Sequence, residues 1–238
     1  MGRAFEFRKE RKMKRWASMA KAFTKIGREI AIAVKEGGGE PDNNPRLRMA
    51  MQNAKSANMP KANIESAIKR ALSKDAEDFD EVAYEGYGPY GIAVMIDTAT
   101  NNTNRTVAHL RLLFSKGGGN LGNSGEVDYM FTRKAQFKIK GEGIDVEELE
   151  FELIDHGLEE MVVEEDLIVL TCAFEDFGNL HKAIEANNLE VDNTELIRIP
   201  THTKKLDDDQ AEEMIKLLDK LEDDDDVASV FHNMDMSE

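Results

Sequence analysis

Ten of the first 28 residues are Lys or Arg and only two are acidic. That density suits contact with a phosphate backbone, which presents regularly spaced negative charge and rewards cations that track it. Arg8, Lys9, Arg11, Lys12 and Arg15 crowd the opening RKERKMKR. At about 100° per residue, Lys21, Lys25, Arg28 and Lys35 fall within roughly 60° of Lys14 on a helical wheel, and Trp16, Phe23, Ile30 and Val34 lie opposite. One face is expected to pack while the other stays free to clamp phosphates. Arg46 and Arg48, near the start of a second helix, would extend that surface. The third helix offers Lys61, Lys69, Arg70 and Lys74 but few side chains suited to reading base edges. The expected contact is therefore with backbone and carries little sequence readout.

Other chemistries find less support. No nucleophile stands beside a base in a recognisable motif, and the carboxylates come in runs such as LDDDQAEE and LEDDDD, which read as solvated faces. GYGPYG and SKGGGNLG lack the lysine or acidic partners of a phosphate-cradling or dinucleotide loop and read as turns. In ATNNTNRTVAHLR, Asn or Thr is placed to cap a helix. Tyr84, Tyr87 and Tyr90 could stack on bases, with sheet packing the commoner fate. The five histidines show no paired metal spacing, and Cys172 sits in an apolar run as a buried strand thiol. No cofactor, metal or small-molecule substrate is expected.

The net charge of −16 would by itself repel phosphate. It is unevenly distributed: residues 1–74 hold 18 basic and 7 acidic residues, a net of +11, against 13 and 40 over residues 75–238, a net of −27. With a Debye length of about 8 Å, acidic groups held far from the basic end would be screened from a ligand there. No apolar run approaches the roughly 20 residues that span a bilayer, and the N-terminus is charged, so the expectation is a cytoplasmic protein with no membrane partner.

The elements that would position these groups form an α+β chain of three domains. Apolar residues at spacings of three and four from Trp16 to Val34, a Gly-Gly-Gly stop, Asn43-Asn44-Pro45 as cap and first turn, and Pro60 as a further start predict three helices in a basic helical domain, residues 1–80. Residues 81–133 read as strands around one helix, with VDYMF as the last strand. Residues 134–200 follow the order β-α-β-β-α-β, a ferredoxin-like α/β domain. The final helix and the strand VASVFH most simply return to the earlier sheet, so residues 81–133 plus 201–238 form a discontinuous α/β domain with the ferredoxin-like one inserted.

AKAFTKIGREI, KEGGGEPDNNPRLRMA, NAKSANMPKANIESAIKRA, YEGYGPYGIAVMIDTATNNTNRT, FSKGGGNLGNSGEVDYMF and KLLDKLEDDDDVASVFHN together resemble the YebC/PmpR family over nearly the whole chain. The opening MGRAFEFRKERKMKRW departs from that family's usual Gly-His-Ser-Lys-Trp-type start but keeps its basic character. The resemblance implies a three-domain fold and a probable DNA-binding transcriptional regulator. Members are also described as ribosome-associated translation factors, among them a mitochondrial translational activator and bacterial factors that relieve stalling at proline runs. The combined expectation is a non-enzymatic regulator of gene expression that binds DNA, or ribosomal or transfer RNA, alone or on the ribosome. The alternative is an interaction scaffold that uses its acidic α/β domains without touching nucleic acid.

Overall fold

A computed structural model describes residues 3–235, with side chains from Met19 onward. One helix, α1, runs from Arg3 to Gly37, about 52 Å at 1.5 Å per residue. It starts well ahead of Trp16 because apolar periodicity marks only the packed part of a helix. The preceding run of Lys, Arg, Glu, Ala and Met is rich in good helix formers. Gly38 ends it with φ of +83°, its N–H donating to the Val34 carbonyl at 2.8 Å, a conformation glycine adopts without strain.

Helix α2, Pro45–Ser56, opens as its sequence demands: the Asn44 side chain accepts from the Leu47 N–H at 3.0 Å and Pro45 occupies the first turn. The same Asn44 amide donates to the Ala33 and Gly38 carbonyls at 2.7 and 2.8 Å, tying the start of α2 to the end of α1. After Pro60 comes α3, Lys61–Ala71. Phe23, Ile26, Ile30 and Val34 of α1 meet Leu47, Ala50, Ile64 and Ala67 in one core.

Strands β1 (Asp80–Tyr87), β2 (Ala93–Thr100), β3 (Asn120–Leu121) and β8 (Val227–His232) form an antiparallel sheet in the order β3-β1-β2-β8. The last strand thus pairs with β2 across most of the chain. Helices α4 (Thr103–Lys116) and α7 (Asp208–Glu222) lie on this sheet, burying Leu110, Phe114, Met214 and Leu217 against Ile92, Val94 and Ile96. Asn102 caps α4, accepting from the Arg105 N–H at 3.0 Å. Asp207 and Gln210 form a reciprocal capping box at the start of α7.

VDYMF is not a strand. The carboxylate of Glu85, only 6% exposed, accepts from the Gly125, Val127 and Asp128 N–H groups at 2.6, 2.7 and 2.9 Å. Amides drawn to one carboxylate curl the chain into a short turn at Asp128–Met130 and cannot serve a ladder. The strand begins only at Phe131.

The second sheet contains β4 (Phe131–Lys140), β5 (Leu158–Glu164), β6 (Leu167–Ala173) and β7 (Val191–Pro200), antiparallel in the order β5-β6-β4-β7. Helix α5 (Val146–Ile154) joins β4 to β5 with β6 lying between them, and α6 (Phe177–Ala186) joins β6 to β7 with β4 between them. This is the split arrangement expected of the β-α-β-β-α-β order. Its core holds Phe137, Leu153, Leu170, Leu180 and the buried, unpaired thiol of Cys172.

Side chains of α2 cover the outer edge of β7. The Asn53 carboxamide donates to the Thr194 carbonyl at 2.8 Å and accepts its N–H at 3.0 Å, while Gln52 and Ser56 reach the Val191 and Asp192 carbonyls. Backbone groups that an edge strand would leave open are met by a helix. Among the described residues no helix is long and apolar enough to cross a membrane, and no cluster of His, Cys, Asp and Glu is placed to hold a metal.

Candidate nucleic-acid interface

The expected free basic face of α1 is not free in its packed half. Lys21 Nζ lies 2.5 Å from an Asp223 carboxylate oxygen. Lys25 donates to the Glu222 carbonyl at 2.9 Å; burial, with Lys21 adding, lowers its pKa, and Glu222 opposes that shift. The Arg28 guanidinium donates to the carbonyls of Ala99 and Asp225 at 2.8 and 2.5 Å and to Asp226 at 2.8 Å. Lys35 pairs with Asp78. Arg46 bridges Glu36 and Glu81 at 2.7 and 2.5 Å. Arg48 donates to the Pro41 and Asp42 carbonyls and lies 3.5 Å from Glu185. The physical reason is simple: charges separated along the chain meet in space. Acidic residues expected to sit beyond screening distance pack directly on α1, where partial exclusion of water strengthens the pairing. The side chains of Arg8, Lys9, Arg11, Lys12, Lys14 and Arg15 lie outside the described residues.

The centre of this seam is Asp226, 6% exposed. Arg105 of α4 donates to its two oxygens at 2.9 and 2.8 Å, Arg28 adds 2.8 Å, and the hydroxyls of Thr106 and Thr100 complete the shell at 2.7 and 3.2 Å. Burial alone would raise the Asp226 pKa, but the hydrogen bonds from Arg105, Thr106 and Arg28 outweigh it and hold the carboxyl below its ordinary range. His109 pairs with Asp224, whose other oxygen accepts the Asp226 N–H at 2.8 Å. The run LEDDDD, expected to be a solvated face, instead supplies the buried Asp226 and the partners of Lys21 and His109, because cations from α1 and α4 converge on it. Arg105 and His109 were not among the expected site residues. One signal was available: LEDDDD falls at the C-terminal end of a helix, where the dipole disfavours anions and calls for cations from elsewhere.

Where α1 and α2 face both sheets, a cleft of about 890 Å³ opens. Ile32, Met49 and Phe177 line it, with the Arg133 guanidinium stacked 4.0 Å from the centre of the Phe174 ring. The Glu29 side chain borders this cleft and keeps part of its surface open, but protein surrounds most of it. Burial pushes its carboxyl from 4.5 up to about 7, Glu81 and Glu195 adding and Arg46 opposing. A carboxyl whose pKa is raised on folding binds its proton more tightly in the folded state, so stability falls as pH rises from about 4.5 to about 7. Glu29→Gln is expected to remove that loss. After allowance for cleft water, the variant should gain about 1–2 kcal/mol over the parent at pH 8 and little at pH 4.5. Thermal melts of both proteins at the two pH values measure the difference; equal differences would refute it.

The remaining candidates have structural roles. The Tyr84 hydroxyl donates to the Thr103 carbonyl at 3.4 Å, Tyr87 packs on the core around Met95, and Tyr90, with φ of +61°, bonds Glu213. Gly119 has no room for a side chain: a Cβ there would come within 2.4 Å of the Tyr87 carbonyl.

Two family models match this chain, one described as the TACO1/YebC protein N-terminal domain over residues 3–74, the other as the TACO1/YebC second and third domain over residues 79–234. A protein of Parabacteroides distasonis named "Probable transcriptional regulatory protein" is 54% identical, with 98% of this chain and 97% of its own length aligned. One of Flavobacterium johnsoniae with the same name is 53% identical over 98% and 99%. Among solved structures, a conserved hypothetical protein from Aquifex aeolicus superposes with a TM-score of 0.80 at 39% identity, covering 92% of this chain and 91% of that one. With both family models and near-complete relatives agreeing, the chain belongs to the TACO1/YebC family.

Proposed function

We propose that this protein is a non-enzymatic regulator of gene expression that binds nucleic acid through the phosphate backbone, with the N-terminal half of α1 as its leading contact. The observation that carries this reading is the distribution of charge along one helix. From Lys21 onward every lysine and arginine of α1 has an acidic or carbonyl partner inside the protein. Residues 3–18 belong to the same helix and hold seven basic residues against two acidic ones. Arg8, Lys9, Arg11, Lys12, Lys14 and Arg15 are therefore assigned the phosphate contacts. The names of the relatives favour a regulatory role. A large acidic body repels any phosphate away from α1, and a stiff duplex has to pass alongside it where a flexible strand can turn away, which favours RNA, free or in the ribosome.

Binding to mixed-sequence single-stranded RNA and to duplex DNA across a salt series, with co-sedimentation on ribosomes at moderate salt, tests the reading. Salt-dependent binding to RNA or ribosomes with weak, sequence-blind DNA binding is the expected result. Tight, sequence-selective duplex binding would place the protein on promoters instead. The absence of salt-dependent binding to either would refute a nucleic-acid role.

A protein partner is the second reading, favoured by one surface. Residues 145–166, covering α5 and the edge strand β5, include eleven carboxylates and no Lys or Arg, yet Phe151, Ile154 and Val163 are 81, 55 and 56% exposed. Apolar side chains on a surface this acidic suit a basic partner with apolar anchors.

A further inference from the structure

The seam between α1 and the Asp223–Asp226 loop has an inner and an outer part. The inner part is closed: the Arg28 and Asp226 side chains are 15% and 8% exposed, and Asp226 also accepts from Arg105 and Thr106. The outer part is open. Lys21 and Asp223 are 39% and 72% exposed, a solvated pair of the kind that contributes little and is easily exchanged. Between them, Lys25 rests on the last carbonyl of α7. The loop thus offers this stretch of α1 a row of carboxylate and carbonyl acceptors, chemically what a phosphate backbone would offer, on the same helix that carries the proposed phosphate contacts.

We infer that the Asp223–Asp226 loop is a built-in competitor for nucleic acid. In the free protein its Asp223 occupies Lys21, and the Glu222 carbonyl just ahead of it, at the end of α7, occupies Lys25. A phosphate backbone that follows α1 from its N-terminal half displaces Asp223 from Lys21 and the Glu222 carbonyl from Lys25, while the Arg28–Asp226 contact stays closed and keeps helix and sheet together. Contacts made by the first half of α1 alone span only a short stretch of backbone. A strand long enough to reach Lys21 gains further contacts only by opening the outer seam, so the loop selects for extended ligands and suppresses binding to small anions. This inference rests on the nucleic-acid reading proposed above.

The test is a variant with Asp223→Asn and Asp225→Asn, which leaves Asp224 and Asp226 in place. A control carries Glu142→Gln and Asp208→Asn, two exposed carboxylates outside the acidic surface of residues 145–166, the second at the end of α7 opposite the loop. Affinity for mixed-sequence single-stranded RNA is measured against salt. Each cation released to phosphate steepens the log–log salt slope by about 0.7 and contributes a factor of about 5 at 0.1 M salt. The loop variant is expected to bind about 5-fold tighter with a slope steeper by about 0.7, because it frees Lys21 from Asp223 while leaving the Glu222 carbonyl on Lys25, and Lys21→Gln added to it should cancel most of the gain. The control should gain less than about 2-fold with no change of slope. If the loop variant binds as the parent does, or if the control gains as much, the competitor role is wrong and only bulk charge acts. If the parent itself shows no salt-dependent binding, the nucleic-acid reading fails first and this inference falls with it.

Discussion

Replacing Arg8, Lys9, Arg11, Lys12, Lys14 and Arg15 together by Gln is expected to weaken RNA binding by about 100-fold to 10⁴-fold at 0.1 M salt while leaving the fold intact. The size follows from counterion release. Each phosphate contact on a single strand changes log K by about 0.7 for every tenfold change in salt, which amounts to a factor of about 5 at 0.1 M. Three engaged side chains give roughly 100-fold, and six give roughly 10⁴-fold. The salt slope should flatten by about 2 to 4 over the same range. Glutamine keeps helix propensity close to that of Lys and Arg. Described packing of α1 on α2 and α3 begins at Phe23, so the melting temperature should change little. A variant that melts like the parent and binds RNA with the parent's slope would remove the N-terminal half of α1 from the interface.

Local features of the fold were legible because their physics is local. Asn44-Pro45 states a cap and a first turn, and the structure uses both. The order of strands and helices from residue 134 to residue 200 is enough to predict a split β-α-β-β-α-β sheet. What escaped was set by long-range charge. Glu85 looked like any alternating strand residue, and only its distance of about forty positions from the amides it binds turns VDYMF into a turn. Arg28 and Asp226 stand 198 positions apart. A helical wheel places Arg28 on a polar face but cannot say whether water or a carboxylate meets it. The contrast of +11 and −27 between the two parts of the chain invited the view that they act separately. The same contrast is a reason for them to associate, and the seam between α1 and the end of α7 is the result.

Asp226→Ala is expected to be the most damaging single substitution in that seam, costing about 3–5 kcal/mol and lowering the melting temperature by about 6–20 °C. It removes the acceptor shared by Arg28, Arg105, Thr106 and Thr100. Arg28, whose side chain is 15% exposed, would be left with carbonyl partners and an uncompensated charge. The effect is larger than for an exposed pair such as Lys21 and Asp223 because a half-buried cation cannot recover its hydration when its partner is lost. Asp226→Asn keeps one acceptor oxygen and should cost less. Acid unfolding gives an independent check of sign. A carboxyl held below its ordinary pKa of 3.8 stabilises the protein above that value, and the contribution is lost as pH falls through the folded-state pKa. The difference in stability between parent and Asp226→Asn should therefore be constant from pH 5 to pH 7 and shrink below about pH 4. Adding Arg28→Met to Asp226→Ala should recover part of the loss, since no unpaired guanidinium then remains beside the sheet. If the double variant is as unstable as the sum of the two single ones, Arg28 and Asp226 act independently and the seam is not held by their pairing.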